Sequence, residues 1–148
     1  MTYRAAVVGL GRIGWLADQD ERRPRPRSHV SAWLFCPRAE LVAGCDSRAD
    51  RMAIKATLDY LECSDMLKLA GPFDIVSVAT PPETHRSIVE ECAAARVRLV
   101  VCEKPLALSS KDAQVMLEAC RASGTILLVN HGRRFHPMIQ AVKAELDT

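Results

Sequence analysis

Residues 3–14 read YRAAVVGLGRIG. Six residues of strand character run without a turn signal into three glycines at G-x-G-x-x-G spacing, Gly9, Gly11 and Gly14. Position matters here more than the glycines themselves, because a strand feeding such a turn and then a helix is the first unit of a doubly wound sheet. Each glycine has its own task. Gly9 permits the tight turn, Gly11 lets the backbone approach a pyrophosphate, and Gly14 lets the following helix pack close to the strand. The helix start, with Arg12 and Ile13, would supply unpaired N–H groups and a partial positive charge for phosphate. The spacing alone also fits glycines that merely shape a strand-to-helix turn.

Outward from this unit, apolar runs of strand length recur at Glu40–Cys45, Phe73–Ala79, Arg98–Cys102 and Thr125–Val129. They are nearly continuous rather than alternating, the pattern of strands buried on both faces of a parallel sheet. Helical patterns lie between them. Over Ser110–Ser123, Ala113, Met116, Leu117 and Cys120 fall at i, i+3, i+4 and i+7; Ser109 with Asp112 resembles a capping box, and Gly124 stands where a left-handed residue ends a helix. A second helix is predicted over about Glu83–Ala95, opened by Pro81 and Pro82. The sheet needs a strand near Thr57–Leu61, where the residues fit a helix equally well. Asp18–Ser28, DQDERRPRPRS, reads as an exposed loop inserted in the first crossover. The predicted fold is α/β, a doubly wound parallel sheet, with residues 1–130 a dinucleotide-binding domain and 131–148 a connecting segment and boundary helix.

A chain of 148 residues, 49% hydrophobic and 26% charged, has the make-up of one globular domain with a real core. Its net charge of +2 lacks the clustered basic excess of a phosphate-backbone binder, so no nucleic-acid partner is expected. No apolar stretch reaches membrane-spanning length and the N-terminus lacks a signal-peptide layout, so no membrane association and a cytoplasmic location are expected. The six cysteines stand singly, without a C-x-x-C pair or a histidine at metal-ligand spacing. They read as small buried hydrophobes in a reducing compartment, and no metal site is expected.

A dinucleotide site also needs a carboxylate after the second strand to meet the adenosine ribose, about 20 residues past the last glycine. Asp46 lies 32 residues past Gly14, and the eleven-residue insert accounts for most of the excess. An ordinary turn aspartate is the alternative. A 2′-phosphate would meet Asp46 with like charge, which favours NAD; Ser47 and Arg48 follow, and an arginine there would neutralise such a phosphate, so NADP is not excluded. The same glycine loop serves some S-adenosylmethionine methyltransferases, so these residues leave the chemistry open.

The carboxyl ends of parallel strands face one crevice, so residues after the fourth, fifth and sixth strands converge there: Thr80 and Pro81, then Glu103-Lys104-Pro105, then Asn130 to Phe135. Pro105 cannot donate to a ladder and so ends its strand, which holds Lys104 at the crevice. A solvated ion pair at a strand end is the plainer reading of Glu103 and Lys104.

Taken in order, GLGRIG, CDS, VSVATPPETH, CEKPLALSSKDA and NHGRRFHP resemble the Gfo/Idh/MocA family of NAD(P)-dependent oxidoreductases over essentially the whole chain. The resemblance implies that Lys104 lies beside the nicotinamide and the reacting carbinol, that Thr80, Pro81 and His85 border the cofactor, and that Arg134 lies near the nicotinamide end. It further implies hydride transfer between NAD(P) and a hydroxyl of a sugar, polyol or nucleotide sugar. In the family a second α/β domain holds that substrate. With 148 residues, this chain is expected to be the cofactor-binding portion of such an enzyme, or a non-catalytic dinucleotide-binding module that needs a partner chain. Assembly in the family runs through the second domain's sheet, so a monomer and a different dimer both stay open. Arg22, Arg23, Arg25 and Arg27 of the insert fit either a contact to a substrate phosphate or a solvated loop.

Overall fold

The computed structural model describes residues 1–147 apart from residue 23 and residues 52–57. Six parallel strands form one sheet: β1 (Tyr3–Val8), β2 (Ala39–Cys45), β3 (Leu58–Tyr60), β4 (Ile75–Val78), β5 (Leu99–Cys102) and β6 (Ile126–Val129). Their spatial order is β3-β2-β1-β4-β5-β6, which reverses direction between β1 and β4. A reversal of this kind opens a crevice at the carboxyl ends of the strands.

Side chains alternate across the sheet and give each face its own core. Ala6 and Val8 of β1, with Val76, Val78, Val100 and Cys102, pack against α2 (Cys63–Leu69), α3 (His85–Ala94) and α4 (Ser110–Ser123) through Met66, Val89, Cys92, Met116 and Cys120. On the opposite face Val7, Leu10, Val30 and Leu41 gather with Trp15 and Trp33 around α1 (His29–Phe35). The indole N–H of Trp33 donates to Ser77 Oγ at 2.9 Å, tying α1 to the middle of β4.

The expected caps of α4 form: Ser109 Oγ accepts the Asp112 N–H at 3.1 Å, and Gly124 takes φ +78°. The third strand exists as Leu58–Tyr60, paired with Ala43–Cys45; Thr57 lies outside the described residues. Pairing to β2 decides its state, because three residues are too few for a sequence period to register.

Three expectations need correction. No α-helix follows Gly14. The N–H groups of Trp15 and Leu16 both donate to Gly11 O, Leu16–Gln19 forms a 3₁₀ turn, and α1 begins only at His29. The cause lies in the insert, which is exposed in its middle but pinned at its ends. Asp18 is 1% exposed; its carboxylate accepts the hydroxyls of Ser28 and Ser31 and the Arg27 N–H, so both ends of the loop meet on one buried acid. Ser28 then caps α1. Three of the loop's arginines are turned to nearby carbonyls and carboxylates, Arg22 to Asp20, Arg25 to Asp18 O, and Arg27 to Pro24 O and Ala17 O, while Arg23 lies outside the described residues. Lastly, β6 is not buried on both faces. Ile126 and Leu128 are 65% and 45% exposed, because α1 is short and covers only the middle of that side. The following α5 (Pro137–Leu146) has no buried residue and exposes Met138, Ile139, Val142 and Leu146.

Candidate functional site

Two cavities open at the carboxyl ends of the strands. The first, about 620 Å³, is lined by Gly9, Gly11 and Arg12 from the turn after β1, by Cys45, Asp46, Ser47 and Arg51 after β2, and by Thr80, Pro81 and Thr84 after β4. Its far wall comes from Leu61, Glu62 and Cys63 at the start of α2 and from Ser87, Ile88 and Glu91 of α3. The second, about 600 Å³, is lined by Lys104 after β5 and by Asn130 to Arg134 after β6.

The glycine turn is held by sterics that no side chain would satisfy. Gly9 has φ +91°, and a Cβ there would stand 2.7 Å from Ala79 C and Thr80 N. A Cβ at Gly14 would stand 1.8 Å from Gly9 O, so the two glycines fold the turn onto itself. Gly14 thus packs the turn against itself rather than a helix against the strand. Among the described residues no acceptor takes the N–H groups of Gly11, Arg12 and Ile13. Those of Gly11 and Arg12 stand beside the first cavity, and unpaired backbone donors there are suited to an anionic ligand.

Asp46 is buried at the end of β2 and ties that end to the glycine turn. Its Oδ2 accepts the Leu10 N–H at 2.8 Å and lies 3.4 Å from Arg51 Nη1, while Oδ1 accepts the Arg48 N–H at 2.9 Å. An ionised carboxylate has about four acceptor positions, so capacity remains for a ligand hydroxyl. The guanidinium of Arg48 points elsewhere, bonded to Asp50 at 2.6 and 3.0 Å on the surface. Arg51 takes the place beside the cavity that the sequence suggested for Arg48.

Glu103, also buried, ends β5. Its Oε1 accepts Asn130 Nδ2–H at 2.6 Å and lies 3.1 Å from His29 Nε2, and its Oε2 accepts the Lys104 N–H at 3.3 Å. Burial opposes its charge, but the hydrogen bonds from His29 and Asn130 prevail and hold the carboxyl below its usual range. Glu103 therefore faces inward, while Lys104, the next residue, is exposed at the second cavity together with Arg134.

His85 lies away from both cavities. It is fully buried, with Nε2 2.9 Å from Thr80 O and Nδ1 3.1 and 3.2 Å from the carbonyls of Pro105 and Leu106. A carbonyl only accepts, so whichever ring nitrogen carries the N–H donates to the carbonyl it faces. The ring braces the segments after β4 and β5 from below. Ile13 is 43% exposed and lines neither cavity. The structure thus brings Gly9, Gly11, Arg12, Asp46, Ser47, Thr80 and Pro81 around one cavity and Lys104 and Arg134 around the other. It leaves Ile13, Gly14, Arg48, His85 and the Glu103 side chain outside them.

Sequence reasoning missed His29 and Arg51, and the α2 and α3 residues of the far wall. His29 carried a signal that went unused: a histidine directly after a serine cap, at the start of an apolar run.

Residues 3–131 match the family model of the Gfo/Idh/MocA oxidoreductases, described as an oxidoreductase family with an NAD-binding Rossmann fold. The chain belongs to this family. Among Gfo/Idh/MocA relatives, D-apiose dehydrogenase of Paraburkholderia graminis is 39% identical over 145 residues, covering 95% of this chain and 35% of its own length. Inositol 2-dehydrogenase of Rhizobium meliloti is 30% identical, covering 99% of this chain and 41% of its own. Among solved structures, the WlbA dehydrogenase of Bordetella pertussis in complex with NADH and UDP-GlcNAcA superposes with a TM-score of 0.84 at 31% identity, over 99% of this chain and 42% of that one. The chain therefore spans about two fifths of the length of these relatives.

Proposed function

We propose that the chain is the cofactor-binding portion of an oxidoreductase that moves hydride between NAD and a hydroxyl of a sugar, polyol or nucleotide sugar. One observation carries the reading. Lys104 and Arg134 border a cavity at the ends of β5 and β6, and the glycine turn and Asp46 border another at the ends of β1 and β2, with the end of β4 between them. A dinucleotide laid across the strand ends would meet both.

The residues present fit such a ligand. Gly11 and Arg12, with unpaired N–H groups, would take the pyrophosphate, and Asp46 a ribose hydroxyl. When bound, the nicotinamide supplies the hydride acceptor. Lys104 would hydrogen-bond the substrate hydroxyl and take its proton, and Arg134 would keep that end of the site positively charged. Thr80 and Pro81 would form the floor between the two ends.

NAD is favoured over NADP because Asp46 would repel a 2′-phosphate, the Arg48 guanidinium is already paired to Asp50, and that of Arg51 is turned to Asp46 itself. The relatives' names supply the substrate class: apiose, inositol and, for WlbA, a nucleotide sugar. In this reading the dinucleotide-binding domain ends near residue 130, a further domain seats on the apolar surface of β6 and α5, and the protein works in the cytoplasm with its cysteines reduced.

Calorimetric titration with NAD, NADH and NADP tests the reading. Saturable binding of NAD and NADH with weaker NADP supports it, and heat-silent titrations with all three would refute it.

A further inference from the structure

His29 belongs to neither cavity, yet it is one of few buried polar side chains whose partner is charged, and that partner immediately precedes Lys104. We propose that His29 is the positioning residue for Lys104, acting through the Glu103 carboxylate. The inference rests on the proposed function for what Lys104 does, but not for where it stands.

The physical reason begins with Glu103. A carboxylate 8% exposed at a strand end is costly unless each oxygen is paired. Three segments supply the pairing: His29 from the start of α1, Asn130 from the end of β6, and the Lys104 amide from the chain itself. Oε1 takes both side-chain donors, which fixes the plane of the carboxylate and aims Oε2 at the Lys104 N–H. Without His29 the carboxylate loses a donor that Asn130 cannot replace, because the Asn130 bond is already made. The carboxylate would then turn toward water and pull the Lys104 backbone with it.

His29 is itself held. Ser28, the preceding residue, gives its hydroxyl to the buried Asp18, as does Ser31 one turn on. A line of contacts therefore runs from the root of the insert, through α1, to the lysine. His29 lines neither cavity, so its effect on Lys104 would pass through Glu103.

The test compares two ligands that share everything but the redox ring. Adenosine diphosphate ribose reaches the glycine turn and Asp46 but carries no nicotinamide; NADH carries both. Calorimetry on wild type, His29→Ala and His29→Gln should show NADH weakened roughly tenfold in the alanine variant, as for loss of one hydrogen bond to a charged group. Adenosine diphosphate ribose should bind all three within about twofold, and glutamine, which restores a donor, should recover most of the NADH affinity. Should the alanine variant fail to fold by circular dichroism, Glu103→Gln keeps the shape, weakens the clamp and should show the same split between ligands. Equal losses for both ligands, or NADH binding untouched, would overturn the positioning role while leaving the cofactor reading intact. A wild type that binds neither ligand would remove both.

Discussion

The Oδ2 atom of Asp46, at the end of β2, accepts the backbone N–H of Leu10 at 2.8 Å across a separation of 36 residues. One carboxylate thus both shapes the glycine turn and faces the cavity where a ribose would lie. Asp46→Ala should therefore fail twice: NAD affinity falls more than tenfold, and unfolding free energy drops by about 2–3 kcal/mol as a buried charged acceptor is lost. Asp46→Asn retains one acceptor oxygen and should fall between the two. Calorimetry and denaturant titration separate the effects.

Glu103 gives a pH signature. Its carboxyl lies below the ordinary 4.5 in the folded protein because His29 and Asn130 overcome the burial penalty. A depressed folded value means that the carboxylate stabilises the fold fully above its unfolded value, and that the contribution is lost as pH falls through the folded one. Wild type should therefore be more stable than Glu103→Gln at pH 7, with the gap closing below about pH 4.5. Melting curves between pH 3 and 7 would show it, and a constant gap would contradict the assignment.

Gly14→Ala should cost about 2–4 kcal/mol, since a methyl group has no place 1.8 Å from a carbonyl oxygen and the turn would have to open. Gly11→Ala meets only the tip of Arg51 at 3.5 Å and should leave stability within about 1 kcal/mol. Its expected defect is in dinucleotide affinity.

All six cysteines are free, and five are buried. Burial pushes the Cys45 and Cys102 thiols up to about 12, and a hydrogen bond with Cys92, together with burial, raises that of Cys63. Since the thiolate is the reacting species, a chromogenic disulfide reagent at pH 8 should modify only Cys36 in the folded protein. The rest should react on unfolding. Fast native reaction at Cys45 would show that the first cavity is more open than described.

The parallel sheet was legible because β1, β4 and β5 are short continuous apolar runs, each buried on two faces, and Ser109 and Gly124 announced the ends of α4 by side-chain chemistry that acts within a few residues. The stretch after Gly14 misled, because its conformation is set by Asp18 meeting Ser28 and Ser31, a contact across ten or more residues that leaves no periodic trace. Likewise Arg48 and Arg51 are indistinguishable by type, and only the turn after β2 decides which one reaches the cavity. Lys104 could be read from Pro105, which must end a strand; His29 could be read as the first residue after a serine cap, but not as the partner of a glutamate 74 residues away.

His85 has a mechanical corollary. Wedged between the carbonyl of Thr80 on one side of its ring and those of Pro105 and Leu106 on the other, it joins two lips of the crevice into a single jaw. Traffic through the mouth would then be governed from the opposite lip, around Ser47 to Arg51, and exchange rates should respond to substitutions there far more than to changes at Thr84 or Ser87.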